Sequence, residues 1–186
     1  AGAQLGVATP AGPLPGDPDW SGGVVLDDTQ QVRVDAPPSK VYATVTGVGG
    51  ERGWCTAEAL WNVRGAIDQL VGGVGMRRGR RHPDDLEVGD ALDFWRVEAL
   101  VPDRLVRLRA EMRLPGTAWL EWTIEPEHDG HRTRLTQRTR FQPRGLAGRC
   151  YWYTMLPAHK LIFRRLAARL AETAATRFET TVRQSR

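Results

Sequence analysis

From about Met76 to Gln142 the chain abandons helical spacing for alternation, and that switch limits the fold more than any other feature. Five segments, MRRGRR, ALDFWRVEAL, RLVRLRAEMR, AWLEWTIE and TRLTQRTRFQ, read as successive strands. The links between them carry turn signals (HPDD with VGD, VPD, LPG and EHDG) and are too short for a crossover helix. Neighbouring strands should therefore pair antiparallel, as a meander. Val106, Leu108, Ala110 and Met112 share one side of their strand, opposite Arg107, Arg109, Glu111 and Arg113. Leu120, Trp122 and Ile124 oppose Glu121 and Thr123, and Thr133, Leu135, Gln137, Thr139 and Phe141 oppose Arg132, Arg134, Arg138 and Arg140. One face is apolar and one charged, so the sheet needs cover on one side only. The strand 91–100 is ambiguous: either Asp93, Trp95 and Val97 or Leu92, Phe94 and Arg96 could face in.

The cover should come from the C-terminal segment. Trp152, Met155, His159, Ile162, Leu166 and Leu170 recur at helical spacing across Pro157. A proline inside a helix removes a hydrogen bond, so a short helix from about Leu146 followed by a long one opening near Pro157 and ending near Glu179 is expected. Ahead of the meander, Val24–Val34 reads as a strand with a turn at Asp27–Asp28. In VDAPPSKVYATV, Asp35 can cap a helix whose first turn holds the prolines, and Val41, Val45 and Val48 mark its apolar face. Leu60, Val63, Ile67 and Leu70 predict a second helix from about Thr56 to Val71. The result is an α+β domain, a curved antiparallel sheet wrapped around a long C-terminal helix.

Residues 1–22 are rich in Pro, Gly and Ala and suit a linker or tail; 23–180 form the domain, and 181–186 a disordered tail. The sequence starts at Ala1 with no initiator Met, as expected of a chain processed, trimmed or cut from something longer, and residues 1–15 have neither the charged start nor the long apolar stretch of a signal peptide. No run approaches the roughly 18 to 20 apolar residues of a membrane span. Two cysteines, Cys55 and Cys150, make no disulfide framework, and reduced thiols in a cytoplasm are the expectation.

The order strand, V-x-A-P-P-x-x-V-Y helix, second helix, meander and long C-terminal helix resembles the START and pollen-allergen-type (SRPBCC) superfamily, to which polyketide cyclases and aromatases also belong. The motifs GGERGW at 49–54, LVGGVGMRRGRR at 70–81, GDALDFWRVE at 89–98, AEMRLPGTAWLEW at 110–122 and RGLAGRCYWY at 144–153 further resemble an uncharacterised bacterial domain family. Members of that family are often fused behind an NAD(P)-binding domain of the short-chain-dehydrogenase type. The resemblance implies a helix-grip fold with an internal pocket for a small hydrophobic molecule, and an NAD(P)-binding domain, in the same or another chain, as a partner. No dinucleotide-binding module lies in this chain itself. The glycines of LVGGVGMRRG follow a helix and precede a strand, the reverse of the context a Rossmann turn requires.

Candidate ligand-binding residues are Trp61, Trp95, Met112, Leu120, Trp122, Gln137, Trp152, Met155 and His159. The ring N–H groups can orient a guest in an apolar cavity, while plain core packing is the competing role for each. Trp119, Tyr151 and Tyr153 swell the aromatic set. For proton handling the candidates are His159, which titrates near neutrality, and Asp93. Glu111 and Glu121 lie on charged faces, where ion pairs with arginine are expected. Arg77, Arg78, Arg80 and Arg81 alternate in a strand, so a solvated face suits them better than nucleic-acid binding. His82, His128, His131 and His159 lack metal-ligand spacing, no G-x-S-x-G elbow occurs, and no metal or cofactor is expected. Three functions compete: a ligand-binding module, a self-contained cyclase- or aromatase-like enzyme, and a structural or homodimerising domain.

Overall fold

A computed structural model describes residues 24–50, 53–54, 80–82, 85–127 and 130–184. The expected linker at 1–22, the helix at 56–71, most of MRRGRR, and Trp61, Cys55 and His128 lie outside them. The sheet has six strands: β1 (Leu26–Val34), β2 (Ala91–Leu92), β3 (Trp95–Val101), β4 (Leu105–Ala110), β5 (Gly116–Pro126) and β6 (Thr133–Pro143). Their order is β1-β6-β5-β4-β3-β2, every pair antiparallel. The first strand thus crosses to pair with the last, and the meander fills the space between. Helix α1 (Pro38–Thr46) follows β1, and α2 (Gly145–Gln184) closes the chain over the inner face.

β1 runs without a break. Asp27 pairs with Arg140 and Asp28 with Thr139 in one unshifted ladder, so no turn forms there. Regular alternation puts Leu26, Asp28, Gln30, Val32 and Val34 on the inner side. α1 opens on Pro37 and Pro38, whose missing N–H groups cost nothing in a first turn. Asp35 is not its cap: that carboxylate pairs with Arg132, at 3.1 Å. Val41 and Val45 are buried as expected. The helix ends where Arg80 donates to the carbonyls of Thr46 and Val48, supplying protons those groups lack within the helix.

The ambiguity of 91–100 has a physical origin, because the alternation is reset twice. The chain turns at Asp93–Phe94, with Asp93 at φ 55, so Leu92 and Trp95 pair directly and face in together. A bulge then intervenes between Val97 and Ala99, and Leu100 rejoins the core.

On the outer face Arg96 pairs with Glu111, Arg107 with Glu121 at 2.7 Å, and Arg138 with Asp27 at 2.9 Å. Trp119 also lies on this side, flanked in register by Arg109 and Arg140, and its indole donates to Glu98 at 3.3 Å. It is nonetheless fully buried.

α2 is one continuous helix, not two. Pro157 sits on its exposed side, where the carbonyl left without an intrahelical donor is open to water. The helix also continues through Gln184, past the expected end of the domain at 180. Its start is wedged against the β4–β5 connection, where a side chain on Gly148 would come 2.4 Å from the Pro115 carbonyl. Trp152, Phe163, Leu166, Leu170 and Ala174 bury the opposite face. No helix among the described residues is long and apolar enough to cross a membrane.

Candidate functional site

Cross-strand register sets small residues among large rings at one end of the inner face. Trp95 on β3 pairs with Ala110 on β4, and Ala118 on β5 pairs with Phe141 on β6. Ala110 and Ala118 each lie one residue beyond the Arg109–Trp119 pair, so they face each other on the inner side. Two methyl groups therefore form the floor between two aromatic walls. Their strands, β3 and β6, stand three spacings apart, about 14 Å along the sheet, and the Phe141 ring leans in over β5, where a Cβ on Gly116 would come 2.7 Å from it.

The first wall is Trp95 with Phe94 at 5.3 Å and Trp54 at 6.1 Å. The second is Phe141 stacked parallel on Trp152 at 5.7 Å, extended by His159, 5.3 Å from Trp152 and 4.3 Å from Phe163. Spacings of seven and four residues along α2 place Trp152, His159 and Phe163 on one side of that helix.

Each wall carries a polar atom without a partner. Trp95 Nε1 and His159 Nε2 are buried and accept or donate no hydrogen bond. Burial pushes the His159 pKa down to about 4, against a smaller upward pull from the Asp28 carboxylate. The imidazole is therefore neutral at pH 7. Asp28 itself accepts from Gln30 at 3.2 Å, so the β1 edge of the inner face is polar.

Other sequence candidates have different employment. Trp122 Nε1 donates to Gln137 at 2.9 Å, and Gln137 Nε2 donates to the Phe163 carbonyl at 2.8 Å. That chain ties α2 to the centre of the sheet and uses both polar groups of the glutamine. Leu120 is fully buried one row deeper than the two alanines, and Met112 is half-buried beyond Ala110. Met155 is 39% exposed on the flank of α2, not among the inward rings, and Tyr153 points to solvent. Asp93 accepts from Trp54 Nε1 at 2.8 Å and from the Gly50 amide at 3.2 Å. Its carboxylate thus pins Gly50 and Trp54 beside the first wall. Among the described residues no group of His, Cys, Asp and Glu is arranged to hold a metal.

Sequence reasoning overlooked Ala110, Ala118 and Asp28. The alternation from Leu26 to Val34 carried the signal for Asp28, but small residues set among rings announce themselves only once the register is known.

An antiparallel sheet gripping one long C-terminal helix defines a helix-grip fold. The chain belongs to the family described as protein of unknown function DUF2867, whose pattern matches residues 20–166. Truncated norcoclaurine synthase from Thalictrum flavum shares the fold at 8% identity and TM-score 0.51, covering 81% of this chain and 94% of that one. CalU16 from Micromonospora echinospora is similar at 13% identity and TM-score 0.39, over 84% and 88% of the two chains. DynU16, from the dynemicin biosynthetic locus, is similar at 19% identity and TM-score 0.42, over 77% and 46%. No curated protein matches the sequence.

Proposed function

We propose that the domain binds a small, largely apolar or aromatic molecule in a hollow between the Trp95 and Phe141–Trp152 walls. The observation that carries this reading is the pair of buried ring nitrogens, Trp95 Nε1 and His159 Nε2, left without partners on facing walls. Buried polar groups are normally paired, and a guest with a polar group at either end would complete both. Anilinonaphthalene sulfonate, an apolar fluorescent probe, tests it. Ala110→Phe fills the floor of the hollow and should weaken uptake of the probe at least about tenfold while the domain stays folded. His159→Ala should weaken it without unfolding the domain. Equal affinity in a folded Ala110→Phe variant would sink the reading.

A second reading is supported by the chemistry of His159. A neutral imidazole in an apolar setting can donate a hydrogen bond to a carbonyl of a guest held against the aromatic walls and polarise it, which is work suited to a cyclase- or aromatase-like enzyme. Turnover of a polyketide-like substrate that falls with His159→Ala, through kcat more than KM, would distinguish catalysis from binding alone. The resemblance of GGERGW and RGLAGRCYWY to domains fused behind NAD(P)-binding modules supports a wider setting. There the bound molecule is substrate or effector of an NAD(P)-dependent oxidoreductase.

A further inference from the structure

Residues 144–171 contain six cations and no aspartate or glutamate, while the whole chain carries a formal charge of only +4. Arg144, just before α2, and Arg149, Lys160, Arg164, Arg165 and Arg169 along its first two-thirds are all exposed, and among the described residues only Arg169 of the six leans on an acid, Glu172. Three large apolar side chains share the same side. Leu146 is 78% exposed, Tyr153 63% and Leu161 51%. At about 100° per residue these three, with Arg149, Lys160 and Arg164 interleaved, fall within an arc of about 120°. The stripe runs about 27 Å, from Leu146 to Arg164, opposite the face that packs on the sheet.

We infer that this face of α2 docks on an anionic lipid bilayer. A nucleic-acid backbone would match the cations but give nothing to Leu146 and Leu161. A second copy meeting this face would set like charges against one another, which opposes self-association here. An anionic bilayer satisfies both halves of the pattern: headgroups neutralise the guanidinium and ammonium groups, and the leucines and tyrosine enter the interface. The inference stands apart from the pocket reading, since none of these side chains lines the hollow.

Co-sedimentation of the full chain with vesicles decides it. The protein should pellet with phosphatidylcholine vesicles containing about 30% phosphatidylglycerol and remain in solution with phosphatidylcholine alone. Raising salt from about 50 mM to about 500 mM should release it, because the attraction is screened. Arg149→Gln/Lys160→Gln/Arg164→Gln should lower the partition coefficient by about 100-fold. Arg33→Gln/Arg132→Gln/Arg134→Gln, which removes as many charges from the other side of the molecule, should leave it unchanged, both variants being checked for an intact thermal transition. Protein that ignores the anionic vesicles at low salt overturns the inference and leaves an acidic protein surface as the occupant. Equal losses in the two triple variants overturn it too, by reducing the effect to net charge.

Discussion

His159 holds an imidazole where charging it is costly. With the folded pKa pushed down to about 4 and the unfolded value near 6.5, the unfolded chain takes up the proton first as pH falls. The stability that rests on a neutral His159 is therefore complete above about pH 6.5 and drains away as pH drops toward 4, by up to about 3 kcal/mol. Urea unfolding at pH 7 and pH 5 should show a smaller loss for His159→Gln than for the wild type. At Asp93 the expectation is a fixed structural cost. Asp93→Ala leaves the buried Trp54 indole without its acceptor and should cost about 1–3 kcal/mol, whereas Asp93→Asn keeps an acceptor and tolerates the positive φ. Denaturation midpoints of the two variants would check the ranking. The inward placement of His159 could be read from its helical spacing. The partner of Asp93 could not, because 39 residues separate it from Trp54 and only the tertiary turn brings them together.

The elements were largely legible, and the failures share a cause. Leu105–Ala110 and Thr133–Pro143 follow the alternation closely, since each has one charged and one covered face, while Gly116–Pro126 buries Trp119 and Glu121 on its outer side as well. Asp27–Asp28 and Pro157 were misread because local preference was outweighed by long-range pairing. Register with β6 holds the first straight, and burial of Trp152 and Phe163 on either side of the proline holds the second in one helix. That override is not free of cost. Pro157→Ala should restore the missing helix bond and raise stability by about 1–3 kcal/mol, as a higher thermal midpoint. Gln137→Leu acts the other way, stripping partners from the Trp122 indole and removing the tie to the Phe163 carbonyl. It should lower the midpoint although leucine is the more apolar residue.

For the molecule as a whole, the family pattern stops at 166 while the helix goes on to Gln184. Leu170 and Ala174, both fully buried, lie in that continuation. Ending the chain at Ala167 should therefore cost at least about 3 kcal/mol, measurable as a fall in the urea midpoint. Overall architecture was open to sequence reasoning because one-sided strands demand a lid. The setting of Ala110 and Ala118 was not, because it depends on which alanines the register places between which rings. The second aromatic wall has one more consequence. Trp152 lies parallel to Phe141 and beside an imidazole whose charge state burial controls. Anything that protonates, displaces or contacts that imidazole alters the electric field at the indole, so the colour and yield of the protein's own ultraviolet emission should act as an optical gauge of what occupies its interior.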